Sequence, residues 1–169
     1  MFSTFRGTMI KANSQEEIQR LEEYLENVKV DQDLFWWIQK EPVDRCVERS
    51  DRQAQYIEKN EEIIGVCLTW ARSRVLGPRE ACVRTLVVSS SHRGEGYGRQ
   101  LIEGAESFAE EQGMSVMIAE VLQSSPHHDW WELQNYEEQD RRYTSGGRGM
   151  VVYEKELDPV FKTEDPLEF

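Results

Sequence analysis

Cysteine is scarce in this chain. There are three in 169 residues, Cys46, Cys67 and Cys82, and none lies in a C-x-x-C pair. An odd, dispersed set argues against a disulfide framework and against a zinc ribbon. Cys67 and Cys82 sit inside apolar runs, where cysteine acts as a small core residue. No apolar run approaches the roughly 18 residues that a membrane-spanning helix needs. The opening residues, Met1-Phe2-Ser3-Thr4-Phe5-Arg6, lack the basic-then-apolar order of a secretory leader. A reduced, cytoplasmic protein is expected. Basic residues are also few, 20 Lys+Arg against 32 Asp+Glu, for a net charge of −12. That balance argues against nucleic acid as a main partner and against an anionic membrane surface. Repeats, low-complexity tracts and long linkers are missing too. The expectation is one domain over residues 1–157, followed by an acidic tail over 158–169.

Apolar residues make up 38% of the chain, enough for a core. Residues 5–12 read as a short strand. Ser14 and Glu17 have the spacing of a capping box, and Ile18, Leu21, Leu25 and Val28 follow at helical intervals, so residues 14–27 read as a helix. A second helix is expected around Leu34, Phe35, Trp37 and Ile38, ending near Pro42. Residues 43–49 read ambiguously. Residues 53–58 and 63–70 form a hairpin, and 81–88 another strand. An amphipathic helix then carries Leu101, Ile102, Ala105, Phe108 and Ala109, with Gly113 as its stop. Residues 116–122 are nearly all apolar, as in a strand buried on both faces. A short helix (126–133) and a closing hairpin (136–144 with 150–157) complete the order. The order β-α-α-β-β-β-α-β-α-β-β predicts an α/β (α+β) domain with a mixed central sheet and helices on its faces.

The most informative stretch is Arg93-Gly94-Glu95-Gly96-Tyr97-Gly98, between an apolar strand and an amphipathic helix. Glycines there let a ligand approach the main chain, and the free N–H groups of a helix start converge on negative oxygens. A pyrophosphate is the natural guest. A P-loop would need Lys-Ser/Thr after Gly98, where Arg99 and Gln100 stand. A dinucleotide fingerprint starting at Gly94 would need glycine at position 99. The pattern [Gln/Arg]-x-x-Gly-x-[Gly/Ala] is satisfied by Arg93, Gly96 and Gly98. The plain alternative is a glycine-rich turn at a helix start.

With this loop, preceded by Leu86-Val87-Val88 and followed by Arg99-x-Leu101, the chain resembles the GNAT superfamily of acyl-CoA-dependent N-acetyltransferases. The resemblance implies a mostly antiparallel sheet whose fourth and fifth strands splay apart. It implies acetyl-CoA as co-substrate, with no metal. The main chain of Leu86, Val87 and Val88 would pair with the pantetheine arm. The amides of Arg93, Gly94, Glu95, Gly96, Tyr97, Gly98 and Arg99 would cradle the pyrophosphate. Ser124 or Ser125 stands where the family often has an asparagine that binds the cofactor arm. The acceptor would be a primary amine of a small molecule or peptide, and dimers are frequent in the family, so a homodimer is allowed.

The family often protonates the departing thiolate with a tyrosine in Phe-Tyr-x-x-x-Gly-Phe. Here the matching stretch is Trp130-Trp131-Glu132-Leu133-Gln134-Asn135-Tyr136. Trp131 occupies the tyrosine position beside the cofactor, and an indole N–H is only a donor. Tyr136 or Tyr143 could substitute, or water, or the acid could be dispensable. Glu120, a carboxylate interrupting an apolar strand, is the first candidate for a base or an ammonium clamp; its alternative is a salt bridge, for instance with Arg84. Trp130 is expected to pack the short helix on the sheet. His127 and His128 are adjacent on that helix and point apart, so they do not form a ligand pair. Trp36 or Trp37 could line the acceptor pocket. The −12 charge favours a cationic acceptor by steering. Two further readings are a non-catalytic acyl-CoA-binding or regulatory module and a structural protein that merely shares the fold.

Overall fold

The computed structural model describes residues 6–32, 43–72 and 76–160. The expected helix with Phe35, Trp36 and Trp37, most of the 158–169 tail and the first five residues lie outside this set. The capping box at Ser14 is formed. Glu17 N–H donates to Ser14 Oγ (3.2 Å), and Asn13 N–H donates to Glu17 Oε1 (3.0 Å). One N–H that the helix start leaves open, that of Glu17, is thereby satisfied, together with the N–H of Asn13 just ahead of the cap. The helix that follows, α1 (Gln15–Gln32), runs longer than its apolar stripe predicts. The ambiguous segment is a short helix, α2 (Val43–Glu48).

Seven strands make one sheet. In chain order they are β1 (Thr8–Lys11), β2 (Arg52–Lys59), β3 (Glu62–Trp70), β4 (Glu80–Val88), β5 (Val116–Leu122), β6 (Glu137–Tyr143) and β7 (Gly149–Glu156). Their spatial order is β1-β2-β3-β4-β5-β7-β6, and every neighbouring pair is antiparallel except β4 with β5. A parallel pair needs a crossover, here α3 (Tyr97–Glu111). A second helix on that face, α4 (His128–Leu133), joins β5 to the last hairpin. The hairpin turn between β2 and β3 places Asn60 and Glu61 at φ of 52° and 66°, the left-handed pair that a tight hairpin turn demands.

The sheet separates two cores. On one face Leu101, Ile102, Ala105 and Phe108 of α3 and Trp131 of α4 pack on Cys67, Met117, Val121 and Tyr153. On the other, Ile18, Leu21 and Leu25 of α1 and Cys46 of α2 pack on Ala54, Tyr56, Val66, Leu68 and Val87. β3 is covered by both layers, and its residues from Ile64 to Thr69 are all buried. Burial pushes the Cys67 thiol up to about 12, the state of an inert core residue.

β5 departs from the sequence expectation. Met117, Ala119 and Val121 are buried beneath α3 and α4, but Val116, Ile118 and Leu122 are half-exposed and Glu120 is exposed. Among the described residues, the α1–α2 core takes its sheet members from β2, β3 and β4, with Ile10 of β1 packed against it, and takes none from β5, β6 or β7. An apolar run thus reflects one covered face and a second face left open beside the helices. The start of the tail is held to the domain. Asp158 N–H donates to Glu110 Oε2 (2.7 Å) and Val160 N–H to Glu110 O (2.8 Å), which fastens residues 158–160 to the end of α3.

Candidate active site: a forked sheet under a glycine turn

β4 and β5 are paired only over Glu80–Val83 with Val116–Ala119. Beyond that point β4 continues against β3 alone, as far as Val88 opposite Gly65, and β5 continues against β7 alone, as far as Leu122 opposite Met150. The cause is local. Opposite Leu68 and Thr69 stand Thr85 and Val83, so Arg84 is an extra residue on β4. Such a bulge bends its strand and increases the twist, here turning β4 away from β5. A slot results, lined by two strand edges whose main-chain groups lack a strand partner on that side. An extended chain laid in the slot could pair with them as an added strand would. Side chains of Leu86 and Val88 pack on the α3 core, and Val87 is buried in the α1–α2 core.

The glycine turn stands at the open end. A short 3-10 turn, Ser90–His92, leads into Gly94 at φ +79° and Gly96 at φ +87°. A Cβ on either glycine would meet nothing within 4 Å. The positive φ therefore requires glycine, and the space above both is open. Gly96 caps α3, whose first hydrogen bond runs from Gln100 N–H to Gly96 O (3.1 Å). The N–H groups of Tyr97, Gly98 and Arg99 precede that bond, and a helix start leaves such donors for an anion.

The side chains of the turn point elsewhere. The Tyr97 ring is buried and its hydroxyl accepts from Gly7 N–H (3.2 Å). Glu95 meets His92 (3.4 Å), and Arg99 pairs with Glu103 (3.0 Å) on the outer surface of α3. Arg93 Nε donates to Val88 O (3.4 Å). Partial desolvation, and then the nearby charges of Arg93 and His128, hold the imidazole of His127 below its usual range. Ser124 is exposed at the end of β5, where it lines a hollow of about 360 Å³ with Leu122, Gln123, Arg148 and Gly149.

Three sequence expectations change. Trp131, expected beside the cofactor, is buried, with its ring edge-on to Trp130 and to Tyr136 at 5.0 Å each. Trp130 packs on the α3 side as expected, half-buried, and its ring also reaches the first turn of α3; a Cβ on Gly98 would lie 3.2 Å from it. Tyr136, the candidate acid, is 2% exposed and donates its hydroxyl to Glu106 Oε2 (2.8 Å) in the α3 core. Burial and the Glu106 charge push its phenol far above the ordinary tyrosine range, so it keeps its proton. The hydroxyl is thus engaged inside the α3 core and not at the surface. Glu120 is not the buried strand carboxylate that the apolar run suggested. It lies on the open face, ion-paired with Arg142 of β6.

Several residues escaped the sequence reading. Glu106 is a nearly buried carboxylate that also receives Lys155 Nζ (3.0 Å). Its position four residues after Ile102, inside the apolar stripe of α3, was the available signal. His128 bridges Tyr153 Oη (2.7 Å) and Gln123 O (3.0 Å), tying α4 to the end of β5. Arg52, Trp70 and Arg84 form a stack that no local spacing announces, because it joins three strands.

A seven-stranded sheet forked at its parallel pair, with a glycine-capped helix start over the open end, defines an α/β fold with a strand-wide slot. The model of the "Acetyltransferase (GNAT) family" matches residues 13–144, and the chain belongs to that family. Solved structures agree on the fold. An acetyltransferase of GNAT family from Streptococcus pneumoniae is 13% identical, with TM-score 0.72 over 90% of this chain and 100% of that one. An aminoglycoside 6'-N-acetyltransferase complexed with coenzyme A is 13% identical, with TM-score 0.72 over 92% and 99%. The ribosomal-protein-S18-alanine N-acetyltransferase from Escherichia coli is 12% identical, with TM-score 0.65 over 94% and 98%. A search of curated proteins gave no match.

Proposed function

We propose that this protein is an N-acetyltransferase that moves an acetyl group from acetyl-CoA directly to a primary amine. The observation that carries the reading is the open space above Gly94 and Gly96 at the mouth of the β4–β5 slot. The donors of Tyr97, Gly98 and Arg99 would hold the diphosphate, and the slot-lining edges at Leu86–Val88 and Glu120–Leu122 would align the pantetheine arm. When bound, acetyl-CoA supplies an activated thioester. The C–N bond forms as the C–S bond breaks, the amine loses a proton and the thiolate gains one. Glu120, held by Arg142 at the fork, would attract the acceptor's ammonium and accept its proton through water. With the Tyr136 hydroxyl committed to Glu106, the thiolate would take its proton from solvent.

That commitment also favours a second reading, a module that binds acyl-CoA without turnover. One experiment separates the two. Protein, acetyl-CoA and a panel of amines are mixed with a thiol reagent, and coenzyme A binding is titrated in parallel. Amine-dependent thiol release supports the enzyme. Tight binding without release for any amine supports the module, and the lack of both rejects the site.

A further inference from the structure

β6 lies at one edge of the sheet, and all of its residues are exposed. Among the described residues its strand partner is β7 alone. Such an edge offers main-chain donors and acceptors to another strand. The charges along it are ordered. Glu137 and Glu138 come first, Gln139 and Asp140 stand in the middle, and Arg141 and Arg142 follow. Laid antiparallel on a copy of itself about the midpoint of 139 and 140, the strand sets Glu137 opposite Arg142 and Glu138 opposite Arg141, each pair made twice by symmetry. Gln139 meets Asp140. A slip of one residue sets Glu138 opposite Asp140 in one direction and Asp140 opposite itself in the other, and a parallel arrangement in register sets like charges side by side.

Charge order alone is not enough, because opposed side chains must also share a face. Residues three or five apart point to opposite faces of a regular strand. Here a bulge between Glu138 and Asp140 shifts the phase by one. Glu138 is opposite Tyr153 and Arg141 is opposite Val151, both on the α3 side. Glu137 is opposite Glu154 and Arg142 is opposite Met150, on the open face, where Arg142 reaches Glu120. The 3.0 Å ion pair between Arg141 and Glu138 agrees with a shared face. A two-fold axis normal to the sheet keeps each face on its own side, so both kinds of pair match. Charges and bulges often keep an edge from pairing. This bulge instead brings each acid onto the face of its base.

We infer that β6 is a self-recognition strand, and that two copies of this chain join edge to edge through it into one continuous sheet. Arg141 and Glu138 keep their pair within the chain while each gains an opposite charge from the other copy. An alternating network replaces an isolated exposed pair, and networks are the form in which surface charges contribute. A guanidinium has donors enough for two carboxylates. Asp140 Oδ1, which accepts from Arg141 N–H (2.7 Å), is exposed and can yield to a partner carbonyl. Glu137 of the partner subunit stands beside Arg142, the residue that holds Glu120, so the second copy reaches the candidate active site. One strand edge is a small contact, under about 1,200 Å², so the dimer is reversible and salt-sensitive.

Sedimentation velocity of the full chain from about 1 μM to 1 mM reads the association. A monomer–dimer equilibrium that weakens with added salt is expected. Glu138→Arg and Arg141→Glu lie on the face away from Glu120, and each turns both 138–141 pairs repulsive. Each variant alone should therefore associate at least about tenfold more weakly than the wild type. Mixed one to one, the two variants should associate with each other as the wild type does, because opposite charges again meet across the axis. Mixing cannot repair a defect in either variant's own fold, so recovery on mixing reports contact between chains. The double variant, with the two charges exchanged, should self-associate as well. A wild type that stays monomeric throughout overturns the inference. So does a dimer indifferent to both single changes, which uses another surface, and so do single variants that stay apart when mixed. None of these readouts depends on acetyl transfer.

Discussion

Replacing Tyr136 by phenylalanine separates a structural tyrosine from a catalytic one. The ring stays, along with its edge-on contact to Trp131, and the change removes the hydrogen bond from the buried hydroxyl to Glu106 Oε2. A hydrogen bond to a charged partner contributes about 1.5–3 kcal/mol. In a domain of this length each kcal/mol moves the melting temperature by about 2–4 °C. Tyr136→Phe should therefore melt roughly 3–12 °C lower, with Lys155 remaining to hold Glu106. A lost general acid instead costs about 10²–10⁴ in rate. The assays are thermal unfolding and kcat with any accepted amine. The reasoning fails if kcat falls by a hundredfold or more while the melting temperature stays put.

Other expectations follow from the same geometry. Gly96→Glu places a side chain at φ +87° and a negative charge at the start of α3, so coenzyme A affinity should fall by at least about a hundredfold while the circular dichroism spectrum is kept; unchanged affinity by calorimetry would remove the turn from the site. Ser14→Ala breaks the capping box and should cost about 1 kcal/mol in denaturant unfolding. Burial pulls the Glu17 carboxyl upward, but hydrogen bonds from Tyr56, Asn13 N–H and Ser14 outweigh it and leave Glu17 below its usual 4.5. A lowered acid stabilises the fold above pH 4.5, and that contribution is lost as pH falls through the folded value, so the Ser14→Ala deficit should shrink in more acidic unfolding titrations. Finally, a diphosphate on the turn would offset the Arg93 charge, so the lowered His127 value followed by NMR should rise when coenzyme A is added; an unmoved titration would place the ligand elsewhere.

Much of this was legible in the chain. Ser14–Glu17, the glycines at 94 and 96 and the stripe of α3 are local signals, and local sterics and hydrogen bonding decide them. From β2 onward the strand spans agree within a residue because alternation and turn residues set them, whereas β1 starts three residues later than its apolar pattern suggests. What failed was non-local. The apolar run of β5 carries no record of which face lies beside a helix, so it does not reveal that Glu120 is exposed. The motif around Trp130-Trp131 fixes a helix, but the rotation of that helix against α3 decides which indole meets Gly98. Tyr136 looked available because Glu106 lies thirty positions earlier on another element. The stack of Arg52, Trp70 and Arg84 depends on cross-strand register plus a one-residue bulge, and neither is written in any short window.

The fork has a mechanical consequence. Four residue pairs are all that join one half-sheet to the other along the strands. Across the fork the halves are also joined by α3, whose apolar stripe shares one core with residues of both, while Glu106 reaches Tyr136 and Lys155 of the second. A short seam of the sheet and its opening for a ligand are thus the same place. Anything that lies along both exposed edges stitches the halves together, so occupancy and cohesion rise as one.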